Sequence, residues 1–106
     1  MAYFYDPVPE YQTRGVAEEV HPFIVSKCIE MLVDLKKAIQ EPDYLQVYRL
    51  TYSEQENLLR IVHTQEEPEY RNEISFVLPS GVEPYEGKLY YIDDGDHRTV
   101  LKAEEY

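Results

Sequence analysis

The stretch DYLQVYRLTYSEQENLLRIVHTQEEPEY, residues 43–70, organises the rest of this chain. It holds two runs rich in β-branched and aromatic residues, joined by a short polar segment from Ser53 to Asn57. Such a pattern predicts an antiparallel hairpin. Both runs carry apolar residues at odd and at even positions, so we expect the hairpin in the middle of a sheet. A helix should cover one face, and partly solvent-exposed aromatic side chains should cover the other.

The residues before the hairpin have the spacing of a helix. A wide apolar stripe recurs at intervals of four and three and is formed by Ile24, Cys28, Met31, Leu35 and Ile39. This stripe predicts one amphipathic helix of about 18 residues that packs on the sheet. Acidic Glu18 and Glu19 followed by Pro22 are typical of a helix start, and Pro42 of a helix end.

The remaining elements are shorter. Tyr11 to Gly15 could form a brief strand closed by the glycine, and Ile74 to Leu78 and Lys88 to Asp93 alternate as further strands. The segment 98–103 suits either a strand or a short helix capped by Asp96. We therefore expect an α+β fold, with one long amphipathic helix packed on an antiparallel sheet of four to five strands.

The length of 106 residues is that of one domain, so we expect residues 1–106 to fold as a single unit. The first ten residues are aromatic but contain Pro7 and Pro9. Proline at two nearby positions favours an extended, loosely docked arm over a helix.

The charge of the chain limits its partners. Twenty-one acidic and ten basic residues give a net charge of −11, which repels phosphate backbones and anionic membranes. We expect no direct nucleic-acid or membrane binding. The acidic charge is typical of a surface that keeps a protein soluble, and the alternative is that it meets a protein partner of basic character. Eleven tyrosines add amphipathic contact area of the kind enriched at interfaces. No signal peptide or long apolar run is visible, so we expect a cytoplasmic protein.

The clearest alternative is a metal site. In this hypothesis His63 and Glu66 combine in space with the cluster Asp93, Asp94, Asp96 and His97, because imidazole and carboxylate groups bind divalent cations. This hypothesis describes a small metal-dependent hydrolase. Against it, Asp94-Gly95 is typical of a tight turn with solvated neighbours, and no His-x-x-x-His pair exists.

Other catalytic signals are weak. The single cysteine, Cys28, lies on the apolar stripe and is predicted to be a core residue. No serine stands in a Gly-x-Ser-x-Gly elbow, and four glycines form no phosphate-binding cluster. We predict no catalytic residue and no cofactor. His63 shares the parity of Leu59 and Ile61 and should point inward with a hydrogen-bond partner, and Arg14 should pair with a carboxylate of the chain itself.

Several blocks of sequence resemble a known family. They are Thr13-Arg14-Gly15-Val16, the run from Asp43 to Val47, the run from His63 to Tyr70, the run from Tyr91 to Asp96, and Ala103-Glu104-Glu105-Tyr106. In this order they resemble the small proteins of Firmicutes, their phages and mobile elements grouped as domain of unknown function 960. The resemblance implies no catalytic residues. The blocks that carry the resemblance contain a set of polar candidate binding residues: Arg14, His63, Gln65, Glu66, Asp93, Asp94 and Asp96.

These polar residues could converge at one edge of the sheet. A converged patch would be either a binding site or a buried polar network that holds the hairpin to the C-terminal strand. For function we expect a non-enzymatic protein-binding or regulatory module that uses acidic side chains and tyrosines. A DNA-mimic inhibitor of a nuclease or restriction system is the alternative within binding proteins, and it would require rows of carboxylates along exposed faces.

Overall fold

The computed structural model describes residues 11–106 of the protein. Helix α1 spans Arg14–Glu19 and helix α2 spans Pro22–Ala38. The strands are β1 Tyr11–Gln12, β2 Leu45–Ser53, β3 Leu58–Gln65, β4 Tyr70–Val77, β5 Gly87–Asp93 and β6 Arg98–Lys102. A 3-10 helix, Ala103–Glu105, follows β6. The arm expected at residues 1–10 lies outside the described residues.

The sheet is larger and less uniform than the sequence predicted. Within residues 11–106 it has six strands in the order β1-β6-β5-β2-β3-β4, and β1 runs parallel to β6. The α+β class is confirmed, but the expectation of four to five purely antiparallel strands is wrong. A two-residue strand such as β1 carries no alternation from which its partner or direction could be read.

The predicted hairpin is confirmed and lies inside the sheet. β2 and β3 pair antiparallel from Val47↔Thr64 to Ser53↔Leu58, and β5 and β4 continue the sheet on either side. Helix α2 covers one face, which we call the helix face. The opposite face of β2 to β5 we call the outer face; it carries half-buried aliphatic side chains among charged ones.

Helix α2 confirms the apolar stripe but corrects its start. Glu18 and Glu19 close the preceding helix α1, and α2 is capped by His21, whose Nδ1 accepts a hydrogen bond from the Phe23 N–H at 3.0 Å. The helix ends at Ala38, before Pro42. Its buried residues are Ile24, Val25, Cys28, Met31, Leu32 and Leu35. The prediction for Cys28 is confirmed, and burial raises the pKa of its thiol to about 12.

The first and the last elements of the described residues meet beside β6. Gly15 is helical rather than the end of a strand, and a side chain there would place Cβ 2.6 Å from Glu105 Oε2. Thr13 caps α1 and donates its hydroxyl hydrogen bond to Glu105 Oε1 at 2.7 Å. The segment 98–103 thus takes both predicted forms, because β6 turns directly into the 3-10 helix that carries Glu105.

Within the described residues, no helix has the length and apolar character needed to cross a membrane.

Candidate functional site

A polar network lies inside the helix face, where β2 and β3 pair. His63 and Gln46 are almost completely buried, and His63 Nε2 lies 2.7 Å from Gln46 Oε1. The Gln46 amide nitrogen donates to Gln65 Oε1 at 2.7 Å and to the Asp43 carbonyl at 2.9 Å. The prediction that His63 points inward with a hydrogen-bond partner is therefore confirmed.

The direction of these hydrogen bonds determines the protonation of His63. Because the Gln46 amide nitrogen is used by two acceptors, its oxygen is left to accept, and His63 must carry its proton on Nε2. The Nδ1 atom is buried with no hydrogen-bond partner among the described residues. A second proton would place an unpaired charge in the core, and burial accordingly lowers the pKa of His63 to about 4.

Aromatic rings enclose this histidine. Tyr48 stacks on it with ring centroids 4.3 Å apart, and Tyr70 meets it edge-on at 5.7 Å. The Tyr48 hydroxyl donates to the Cys28 carbonyl of α2 at 3.0 Å. His63 is thus packed as a structural residue beneath the helix, with no exposed surface from which it could act on a substrate.

Gln65 carries the network outward to two loops. Its oxygen accepts the Asp43 N–H at 3.0 Å, and its amide donates to the Pro68 carbonyl. Asp43 in turn accepts the Glu67 N–H at 3.2 Å through Oδ2. The segment before β2 and the turn between β3 and β4 are therefore tied together from inside the fold.

A third loop joins them at the same edge of the sheet. The Asp93 N–H donates to the Tyr44 carbonyl at 2.9 Å, which places the end of β5 beside the start of β2. The following turn closes around Asp94, which accepts the His97 N–H at 2.7 Å and the Asp96 N–H at 3.1 Å. These hydrogen bonds, that of His97 above all, lower the pKa of the Asp94 carboxyl. Gly95 occupies the turn at φ 95, a conformation that side chains disfavour.

The three loops concentrate negative charge, and we call their edge of the sheet the acidic end. Its carboxylates are those of Glu41, Asp43, Glu66, Glu67, Glu69, Asp93, Asp94 and Asp96. Six of the eight are exposed, and Asp43 and Asp93 are half-buried. The clustering arises because β3 and β5 end where β2 begins.

The structure brings together six of the seven residues singled out in the sequence. Glu66, Asp93, Asp94 and Asp96 lie at the acidic end, with His63 and Gln65 in the network beneath it. Arg14 does not join them. It lies on α1, highly exposed, and pairs with Glu18 of the same helix at 3.2 Å, so its partner is a carboxylate of the chain, as predicted.

The arrangement required by the metal-site hypothesis does not form. His63 is sealed under the helix, while Asp94 and Asp96 are exposed in their turn. Within residues 11–106, no three His, Cys, Asp or Glu side chains are grouped in a way that could hold a metal ion.

Two concavities flank the segment Asp43-Tyr44, one on each side of the sheet. The helix-side cleft has a volume of about 280 Å³ and is lined by Lys36, Gln46 and Asp93 among others. The outer concavity has a volume of about 360 Å³, and its lining includes Asp43, Val47, Arg49, Thr64, Glu66, Lys88 and Tyr90.

Sequence reasoning missed Gln46 and Asp43 as parts of the site. Gln46 shares the parity of Tyr48 and Leu50, so its position on the buried face was readable once the strand was accepted. A buried amide on that face needs partners, and His63 was the inward polar group of the next strand. Asp43 gave no such signal, because its role depends on the Glu67 N–H, which lies 24 residues away along the chain.

Comparison with known proteins places the chain in a family. Residues 10–105 match the family model described as "Staphylococcal protein of unknown function (DUF960)". The chain belongs to this family. Among solved structures it is similar to a protein of unknown function from Enterococcus faecalis, at 16% identity over 98% of each chain with a TM-score of 0.69, a likeness of fold. No curated protein matches it.

The sequence blocks that resembled the DUF960 family meet in two places. Thr13 and Gly15 contact Glu105 beside β6. The blocks that begin at Asp43 and His63 supply the whole buried network, and the block that ends at Asp96 joins them through the Asp93 hydrogen bond to Tyr44. In both places the blocks contribute contacts between distant parts of the chain.

Proposed function

We propose that this protein is a non-enzymatic binding module whose acidic end docks on a basic surface of a protein partner. Three loops contribute eight carboxylates to one edge of the sheet, in a chain of net charge −11. Complementary charge speeds the encounter with a basic partner and selects against acidic ones. Exposed Tyr44 stands among these carboxylates and adds amphipathic contact area.

The observation that carries this proposal is the network beneath the loops. Gln65 bonds both to Asp43 and to Pro68, and Asp43 bonds to Glu67, so two acidic loops are held in one arrangement. A surface ordered before binding loses less conformational entropy when it binds. The network therefore supports recognition by a fixed set of carboxylates. In it the buried His63 has a structural role, as a hydrogen-bond partner of Gln46.

The distribution of charge also separates this proposal from a DNA mimic. A mimic needs carboxylates in rows along an exposed face, but the outer face of the sheet carries Arg49, Arg60, Arg71 and Lys88. The carboxylates are gathered at one edge instead. A compact basic patch on a protein suits that edge better than the long groove of a nuclease.

The test is affinity capture from host lysate with two variants of equal charge. The first neutralises the acidic end by Glu66→Gln, Glu67→Gln, Asp94→Asn and Asp96→Asn, which keeps the acceptor oxygen of the Asp94 turn. The control neutralises four exposed carboxylates elsewhere: Glu30, Asp34, Glu54 and Glu56. Proteins bound at low and at moderate salt are identified by mass spectrometry. The binding measurement is then repeated with each of these proteins in purified form.

We expect a basic protein that the parent and the control bind and that the first variant loses. Weaker binding at moderate salt should accompany it, because exposed charges are screened. Equal loss in both variants would reveal non-specific attraction to net charge and would overturn the proposal. So would a partner that both variants retain, since it would bind another surface.

A further inference from the structure

The outer face of the sheet is cationic, although the chain as a whole is strongly acidic. It carries four of the ten basic residues: Arg49, Arg60, Arg71 and Lys88. Each of them alternates along its strand with residues whose side chains face α2. The only carboxylate between them, within the described strands, is Glu73 on β4.

Two of these cations share one counter-ion, the Glu73 carboxylate. Arg60 makes two hydrogen bonds to the Glu73 carboxylate, and Arg71 lies 3.0 Å from the same group. This pairing lowers the pKa of Glu73 to about 2, with the Arg60 hydrogen bond as the largest cause. Arg60, Arg71 and Glu73 thus form a closed cluster of surface charges.

Within residues 11–106, the other two cations face each other without a counter-ion. Arg49 and Lys88 are directly paired residues of neighbouring strands, so both side chains rise from the same point of the sheet. Neither has an ion pair with any described residue, and Lys88 Nζ lies only over the Tyr90 ring, 5.8 Å from its centroid. Like charges in this position destabilise a sheet. In a chain with twice as many acids as bases, a bound anion would relieve the repulsion between these two cations.

The pair lines a concavity of suitable size. Its volume of about 360 Å³ falls in the range of small-molecule sites, roughly 300–1,000 Å³. Its lining also includes the apolar surfaces of Val47 and Tyr90, the Thr64 hydroxyl, and the carboxylates of Asp43 and Glu66. The combination of an apolar body and a few polar groups at one side is the usual composition of a ligand site.

We propose that Arg49 and Lys88 form an anion site for a small organic dianion, a phosphate monoester or a dicarboxylate, whose apolar body lies on Val47 and Tyr90. An arginine and a lysine side by side match a doubly charged group, because the guanidinium binds two oxygens and the ammonium adds a third donor. The carboxylates of Asp43 and Glu66, which line the same concavity, disfavour long polyanions such as nucleic acid. This site is opposite in charge to the acidic end and does not rest on the function proposed for it.

The experiment is a nuclear magnetic resonance titration of the full-length, ¹⁵N-labelled chain at low salt. Phenyl phosphate and phthalate are the two aromatic dianions, and inorganic phosphate is the probe without an apolar body. We expect saturable shifts at the amides of Val47, Arg49, Lys88 and Tyr90, with a dissociation constant on the order of 1 mM or tighter for at least one aromatic dianion. The better of the two identifies the preferred anion.

Matched double variants test the assignment. Arg49→Gln with Lys88→Gln should weaken binding by about tenfold or more, the effect of losing charge-assisted hydrogen bonds. Arg60→Gln with Arg71→Gln removes the same charge from the same face and should weaken it far less. The first variant should melt no lower than the parent, because it relieves repulsion.

Three results would overturn the proposal. The first is the absence of saturable shifts at these amides with either aromatic dianion. The second is equal weakening by both double variants, which would indicate attraction to the face as a whole. The third is binding of inorganic phosphate as tight as that of the aromatic dianions, which would remove the role of Val47 and Tyr90.

Discussion

The helix face and the outer face of one hairpin treat their polar residues in opposite ways. On the helix face, Gln46 and His63 are buried and joined to each other within a chain of directed hydrogen bonds. On the outer face, Arg49 meets Lys88 with no counter-ion among residues 11–106. Burial imposes a cost on every unpaired polar group, and on the helix face both Gln46 and the Nε2 atom of His63 are paired, although His63 Nδ1 has no partner among residues 11–106. Water lowers that cost on the outer face, where unpaired charge can persist.

The polar groups of the two faces therefore have different roles, one in structure and the other in recognition. Polar groups that α2 covers can hold loops in place but cannot meet a partner. Charged groups that water covers contribute little stability and are available for binding. Each of the following variants acts on one face and leaves the other intact.

The largest effect is expected where the helix face is purely apolar. Leu35→Ala removes a fully buried side chain of α2 and should lower the free energy of unfolding by about 2–5 kcal/mol. Urea denaturation measures the change. Lys37→Ala, an exposed position on the same helix, is the control and should change stability by no more than about 0.5 kcal/mol. A similar small change for Leu35→Ala would contradict the packing of the helix.

The next effect concerns pH and the buried histidine. The pKa of His63 falls from 6.5 to about 4 on folding, so below pH 6.5 the unfolded chain binds a proton that the native chain does not. Stability should therefore fall as pH falls from 6.5 towards 4, by about 3 kcal/mol in total. Urea denaturation at a series of pH values measures this loss.

His63→Gln is the control for that experiment. It lacks the titrating ring, so the difference between parent and variant isolates His63 from the other two histidines. Glu73 also loses its contribution to stability on acidification, but only at lower pH, between 4.5 and 2. The reason is that its pKa is lowered to about 2, chiefly by the Arg60 hydrogen bond. A parent and variant with the same slope between pH 6.5 and about pH 5 would show that His63 titrates normally.

The smallest effect is expected on the outer face, and its sign is reversed. Arg49→Gln removes one of two opposed cations and should raise the free energy of unfolding by about 0.2–1 kcal/mol at low salt. High salt should reduce the gain, because the charges are exposed. Arg60→Gln is the matched variant; it breaks the pair with Glu73 and should not stabilise. A loss of stability for Arg49→Gln would show that the residue has a structural partner.

Much of the fold was predictable because its signals are local. The hairpin followed from two adjacent strand-like runs, and the helix from a stripe whose members Cys28 and Leu35 are indeed buried. The start of α2 was misplaced for a local reason too. Glu18 and Glu19 suit the first turn of a helix, but they end α1 instead, and the cap is His21, an unusual residue for that position.

Less of the site was predictable. The inward direction of His63 was predictable from its alternation with the other residues of β3. The placement of Glu66 and Asp93 at one edge of the sheet was predictable from the ends of their strands. The Arg49 and Lys88 pair needed the antiparallel register of β2 with β5, two strands that are separated by the 33 residues from 54 to 86. No pattern within either strand indicates which residue will lie opposite which.

By itself the sequence determined the α+β class, the central hairpin, the buried stripe of α2 and the inward direction of His63. Each depends on periodicity along neighbouring residues, which the backbone geometry of strands and helices translates directly into faces. Only the tertiary structure decided the parallel pairing of β1, the contact of Gly15 with Glu105, the hydrogen bonds of Gln46 and Gln65, and the opposed cations. These depend on strand order and register, which are set by packing between distant segments and not by the residues of any one segment.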